Sequence, residues 1–480
     1  MLFMSYWRYI FRKEQLRDWL WVLLCTAAGC AFILAFYPFP EIAHDSYDYL
    51  GMASERRFWP VRPLGYPVYL TLVHALSHSI YSIVVSQALL YALSLGALLL
   101  AVKKYWPPRR RWTFFFLEAV CVLSPAALYM VNAIFADALF CCLIFVMLTM
   151  GIVMVKERSW AALAIYLVTF YAALFVKHSA EFFPLAFIPV FLCLGRGWLR
   201  SISVGLTIVV VAVFCLQMRS LMYKNTGYRQ VSTGFEGWQL ANNAIHMLPY
   251  IAPPTKEELP ADEDVALMHE FLYGRYDSYI IHTTRDGAKV SANFMWDDKA
   301  PLREMLAYFE EGYKIPQLTA WVDIGTHALK DYAVWLIRTH PKEFVWYYLW
   351  PNLKNAFFPD SPEAVFTYID VPAGRREIVG WFDFPEDGTM QPRKDIASYI
   401  QPVLPWIELF TWMVFLVGAV LWFFRERRPS RETSLVLLLL FLFGFMIYGT
   451  TVFASPVALR YWMSMHAVKL IFAWICFQKL

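Results

Sequence analysis

The sequence predicts a polytopic α-helical membrane protein of about ten spans, with a mixed, mainly helical region on the outer side. Three observations predict this. Of 480 residues, 59% are hydrophobic and only 17% charged, against roughly 25% charged in soluble domains. Several apolar runs reach about 20 residues, enough to cross a bilayer. Eighteen Lys and Arg fall in segments that this topology puts inside, and five (Arg56, Arg57, Arg62, Lys177 and Arg460) fall in its short outer loops. That asymmetry sets orientation, whereas the net charge of +4 does not. The expected location is a bacterial inner membrane with both termini cytoplasmic, and no nucleic acid is an expected partner.

In order, the basic segment with Arg8, Arg12, Lys13 and Arg17 precedes span 1, residues 19–36. This run reads as a full span with no cleavage site after it. An outer loop, 38–67, follows, then a short interfacial helix at 66–78 and span 2 at 79–101. Span 3 covers 112–124, an outer turn 125–136, and span 4 covers 137–155. Spans 5, 6 and 7 cover 160–176, 182–194 and 201–219. Residues 220–402 are polar, aromatic and rich in Pro and Gly, and form the outer, periplasmic region. A helix is expected from Asp323 to Arg338 and another opening at Pro341, while 275–300 and 360–395 read as loops or short strands. Spans 8, 9 and 10 cover 403–424, 433–453 and 457–477. Three modules result: 1–219, 220–402 and 403–480.

The loop PFPEIAHDSYDYLGMASERRFWPVRPLGYP organises the rest. As a helix it puts Glu41, Asp45, Asp48 and Met52 on one stripe, and ends near Trp59 because Pro60 pushes the preceding residue out of the α region. The following Arg62-Pro63 and Gly65-Tyr66-Pro67 are stiff and turn-rich. The ordinary reading is a solvated interfacial helix with a basic anchor. Against it stand further charges at the same membrane level. Asp137 lies at the mouth of span 4, where it could equally cap the helix N-terminus. Lys177-His178 lies at the mouth of span 5 and Arg460-Tyr461 at that of span 10. Each cation alone reads as a snorkelling anchor; together with the acidic loop they suggest a site. Glu118 and Lys469 lie deeper, where charges are costly and either functional or paired.

Other motifs carry less. His74 and His78 are four apart but lack a third ligand. Asp262-Glu263-Asp264 lies in a charge run and reads as a solvated face. The eight Cys all fall in spans without zinc-ligand spacing, and there is no glycosylation sequon, P-loop or dinucleotide motif. No cofactor is required, and a divalent metal is compatible but not indicated.

Acids facing cations at one membrane level suit a sugar carried by a polyprenyl phosphate. The lipid needs an apolar groove, its phosphate needs Arg or Lys, and an acceptor hydroxyl needs a carboxylate base. Lipid phosphate leaves readily, so no nucleotide is called for.

At these residues the chain resembles the GT-C glycosyltransferases, especially bacterial relatives of protein O-mannosyltransferases and of the lipid A aminoarabinose transferase. Their first outer loop reads Asp-Glu, then Tyr and Ala; here Asp45, Ser46, Tyr49 and Ala53 correspond, with Ser46 replacing Glu. Their Arg-Pro-Pro-Gly-Tyr-Pro segment is matched by Arg62-Pro63-Leu64-Gly65-Tyr66-Pro67. Asp137-Ala138-Leu139-Phe140 is similar to their acid-led opening of span 4, and Arg460-Tyr461 to their late Arg-Tyr. The resemblance implies a GT-C-like fold and inverting transfer from a polyprenyl-phosphate sugar to a periplasmic lipid, glycan or protein hydroxyl. It implies Asp45 as base with Asp48 and Asp137 in support. Arg62, Lys177, His178 and Arg460 would hold the donor phosphate, and Tyr49, Tyr66 and Tyr461 would contact substrate. Two other activities compete: a ligase or polymerase using a polyprenyl-diphosphate oligosaccharide, and a lipid-linked sugar flippase, which would show broken spans and polar residues at mid-membrane.

Overall fold

The computed structural model describes residues 5–195, 197–231, 235–253, 255, 258–259, 262–280, 300–305, 307, 328–359, 371–384, 392–424, 429–454 and 457–478. It is a helical membrane protein, about 81% helix, with no strand among the described residues. It divides into two compact units. The first comprises Met1–Phe214, Pro362–Ile447 and Leu459–Leu480; the second comprises Cys215–Ser361 and Tyr448–Ala458.

In the first unit, α1 (Leu16–Phe36) leads to α2 (His44–Ser54) and α3 (Gly65–Leu76). There follow α4 (Tyr81–Tyr105), α5 (Arg111–Val122), α6 (Pro125–Val131), α7 (Ala136–Glu157), α8 (Trp160–Val176) and α9 (Pro184–Leu192). Helix α10 (Trp198–Thr226) runs on into the second unit, which holds α11 (Phe235–Ala244), α12 (Glu263–Ile280) and α13 (Ala328–Thr339). Helix α14 is continuous through Pro341–Phe344, a π-helical Val345–Leu349 and Trp350–Phe357. Then come α15 (Leu404–Phe424), α16 (Arg431–Ala454) and α17 (Met463–Phe477).

Each stretch read as a span contains a helix, but among the described residues six helices (α1, α4, α7, α10, α15 and α16) are long and apolar enough to cross a membrane. A seventh crossing arises if α5 and α6 are one span, broken by a 53° bend. Pro125 causes the break, since it lacks the N–H that would continue the ladder. Residues 125–131, read as turn, are therefore helix. Helices α8 and α9 are apolar but shorter.

Local chemistry ends these helices where the site begins. Helix α1 stops at Tyr37, whose backbone leaves the α region before Pro38. The Phe36 carbonyl that the stop leaves open accepts from Arg393 N–H at 2.8 Å. Helix α2 ends at Ser54, earlier than the Trp59 expected, because Arg56 adopts a left-handed conformation at φ 52°. Helix α3 begins at Gly65, where a Cβ would lie 2.7 Å from the Phe175 carbonyl carbon and oxygen at the end of α8. Only glycine lets the two backbones approach this closely.

In the second unit, α11, α12, α13 and the start of α14 bury a core around Trp238, Met268, Leu272, Tyr332, Leu336 and Tyr348. Asp262 caps α12, its Oδ1 accepting from Asp264 N–H at 3.0 Å and Val265 N–H at 3.2 Å. Of the stretches read as loop or strand, 275–280 end α12, and 373–380 form a 3₁₀ turn and a short helix in the first unit. Residues 281–299, 323–327 and 360–370 lie outside the described residues.

Candidate active site

The site forms where the first unit's helices end on one side. Glu41 does not share the helical stripe of Asp45 and Asp48. Its N–H donates to Asn132 O at 2.9 Å and its carbonyl accepts from Ile134 N–H at 3.0 Å, a parallel bridge to the segment after α6. This pairing satisfies the Glu41 backbone outside a helix, so α2 starts only at His44. Ser46 locks the start of α2: its Oγ accepts from Ala43 N–H at 3.0 Å and donates to Ile134 O at 2.9 Å. Ser46 thus ties the loop to the mouth of α7.

Asp45 and Asp48 lie one turn apart on α2, and the turn at 60–64 returns Arg62 between them. Arg62 Nη2 donates to Asp45 Oδ1 at 2.6 Å and its Nε donates to Asp48 Oδ2 at 3.0 Å. Burial works against the Arg62 charge, but Asp45, Tyr49 and Asp48 together hold its pKa above the usual guanidinium value. The other oxygen of Asp45 faces Arg460 Nη1 at 3.9 Å, beyond hydrogen-bond reach. Arg460 stands on the 3₁₀ turn Leu459–Trp462 before α17. Its guanidinium packs over Phe135 at 5.0 Å and over Tyr461 at 5.2 Å, while its buried Nε has no hydrogen-bond partner among the described residues.

Next to it, Lys177 Nζ donates to Asp137 Oδ1 at 2.5 Å and lies 4.8 Å from the centre of the Tyr461 ring. Asp137 occupies the first turn of α7, where the helix dipole favours negative charge. Tyr461 thus links the two ion pairs, its hydroxyl 3.4 Å from Arg460 Nη2. Asp45, Asp48 and Asp137 are balanced by Arg62, Lys177 and Arg460 in one cluster.

Other candidates sit differently. His178 faces Glu181, Nδ1 to Oε1 at 3.7 Å, and its ring lies against Phe214. Tyr66 is fully buried and its hydroxyl donates to Gln87 Oε1 at 3.0 Å. Tyr49 packs edge-on to Tyr66 at 5.1 Å and lies beneath Arg62 at 6.0 Å. His74 and His78 stack at 4.2 Å, His74 also stacking on Trp381 at 4.0 Å. Among the described residues no group of three His, Cys, Asp or Glu side chains could hold a metal ion. The deeper Lys469 pairs with Glu408 of α15, a partner for which the sequence carried no spacing signal.

One residue of the site, Gln87, escaped sequence reasoning, and Glu41 was read only as part of a helical stripe. Gln87 of α4 donates to Val131 O at 2.8 Å and Ala133 O at 2.9 Å, fixing the segment that Glu41 pairs with. A single amide inside an apolar span was the signal available. Glu41 is 5% exposed, and its Oε2 has no hydrogen-bond partner among the described residues. Burial pushes its carboxyl well above the usual carboxylate range, and Arg460 offsets this only in part.

Comparison with protein-family models, curated proteins and solved structures returns no match.

The same unit holds two adjoining apolar cavities of about 430 and 570 Å³ between α1, the α5–α6 break and α15, sharing Leu123, Pro125 and Ile407. Tyr129 lines one of them and meets Tyr37, at the end of α1, edge-on at 6.1 Å.

Proposed function

We propose that the protein is a membrane glycosyltransferase that moves a sugar from a polyprenyl-phosphate donor to an acceptor hydroxyl on the periplasmic face. The observation that carries this reading is the loose contact between Arg460 and Asp45. One guanidinium with unspent donors lies 3.9 Å from a carboxylate already anchored on its other side by Arg62. An anion entering at that gap meets Arg460 and, beyond Tyr461, Lys177. Asp45 stays at its edge to face a second substrate.

The chemistry follows from those roles. Asp45 is held by Arg62 on one side and faces Arg460 on the other. Asp45 takes the acceptor proton while the acceptor oxygen attacks the anomeric carbon. The bond from that carbon to the phosphate oxygen breaks, and polyprenyl phosphate leaves with the electron pair. Arg460, Lys177 and Arg62 stabilise the charge that grows on it. The apolar cavities at the α5–α6 break suit isoprenoid segments. Ten spans, with both termini cytoplasmic, complete the reading.

One observation favours a second reading, a lipid-linked sugar flippase: the broken pair α5–α6. A single experiment separates them. Purified protein in detergent is incubated with a panel of polyprenyl-phosphate monosaccharides, and free polyprenyl phosphate is measured. A transferase releases it from at least one donor, by hydrolysis or transfer, and Arg460→Ala weakens binding of that donor while leaving the fold intact. Donor that binds but is never cleaved favours the flippase, and no binding at all overturns both.

A further inference from the structure

Helix α14, in the second unit, has two unlike faces. Its inner face is buried: Phe344, Tyr348, Asn352 and Asn355 point into the unit. Its outer face is apolar and aromatic. Trp346, Trp350, Leu353 and Phe357 repeat at helical spacing and are 37–51% exposed. Lys342 and Lys354 are exposed on the same helix.

The contacts of the inner face tie this helix to the end of α16. The last residues of α16, a helix long and apolar enough to span, belong to the same unit as α14. Phe344 packs against Phe453 with ring centres 6.2 Å apart. Asn352 Oδ1 accepts from Val457 N–H at 3.2 Å, and Asn355 Nδ2 donates to Val457 O at 3.4 Å. Asn243 Nδ2 donates to the Phe453 and Ala454 carbonyls, closing the end of α16. Helix α14 is therefore bonded to the last turn of α16 and the residues just beyond it.

We propose that α14 is an in-plane membrane helix, with Trp346, Trp350, Leu353 and Phe357 immersed in the headgroup–acyl boundary of the lipid leaflet. Trp is favoured there because an apolar ring with one donor suits a layer apolar on one side and wet on the other. The lysines can reach lipid phosphates with their stems along the apolar face. The inference does not rest on the transferase reading and survives its failure.

The test uses the full chain in nanodiscs of phosphatidylethanolamine and phosphatidylglycerol, with the native cysteines replaced. Spin labels are placed singly by Trp350→Cys and Leu353→Cys. Lys330→Cys, at an exposed position of α13, serves as the water reference and Phe445→Cys, on an outward position of α16, as the lipid reference. Collision rates with oxygen and with a water-soluble nickel complex are measured. Labels at 350 and 353 should show an oxygen-to-nickel ratio well above that at 330 and approaching that at 445. Nickel access equal to that at 330 would mean the face is in water and overturn the proposal. Shielding from both reagents would also overturn it, showing that a second copy or another segment covers the face.

Discussion

At the scale of single residues, the two carboxylates of α2 are not equivalent. Asp45 touches Arg62 and faces Arg460, whereas Asp48 touches Arg62 through its Nε alone. Asp45→Asn keeps the shape and removes the basicity. Its turnover should fall about 10²–10⁴-fold with donor affinity largely kept, and Asp48→Asn should lose less. Near wild-type turnover in Asp45→Asn would refute its assignment, and a dead Asp48→Asn beside it would move the base one turn along. Glu41 makes a separate prediction. Burial raises its pKa, so the folded protein keeps a proton that the unfolded chain releases above about pH 4.3. Its contribution to stability is complete below that value and is lost as pH rises through the raised folded pKa. Glu41→Gln is neutral throughout. Thermal unfolding of both proteins from pH 4.5 upward should show the wild type losing stability relative to the variant. Parallel curves would show that Glu41 is ionised at the start of the series.

At the scale of elements, the site depends on how α3 meets α8. Gly65 opens α3 against the Phe175 carbonyl, and Arg62 and Lys177 lie in sequence within three residues of this crossing. Gly65→Ala puts a methyl group against backbone that has no rotamer to change. It should destabilise the fold by about 1–3 kcal/mol, and it should separate Arg62 from Lys177. Denaturation in detergent measures the first effect and donor binding the second. A variant that is as stable as wild type and binds donor normally would show that the crossing has slack. The Gly-Tyr-Pro segment was legible as a turn followed by a helix. The reason for that particular glycine was not, because the atom it avoids is 110 residues away in the sequence.

At the scale of the whole molecule, orientation rests on the distribution of Lys and Arg. A cysteine introduced by Lys330→Cys in a Cys-depleted background should react with a membrane-impermeant thiol reagent in intact spheroplasts. Reaction only after lysis would put the second unit in the cytoplasm, and the proposed periplasmic chemistry would fall with it. The buried pair Lys469–Glu408 belongs to this scale too. It joins α15 to α17 inside the first unit, and a charge left there without its partner is costly. That pairing answers, for Lys469, the choice between function and partner that its depth left open.

The sequence by itself determined that this is a helical membrane protein with an acidic turn-rich loop after its first span. Those properties are local: run length against bilayer thickness, proline against the residue before it, charge beside a span. It also singled out Asp45, Arg62, Asp137, Lys177 and Arg460, because charges at span mouths stand out against apolar surroundings. Only the tertiary structure decided how they are paired. Arg62 divides Asp45 from Asp48, Lys177 takes Asp137, and Arg460 is left with its loose contact to Asp45. It also moved Glu41 off the helical stripe, because a backbone bridge to residues 132–134 satisfies its peptide groups better than a helix begun three residues earlier. Each of these contacts joins segments whose meeting depends on how α2, α6, α8 and the start of α17 pack together, and no spacing along the chain encodes that.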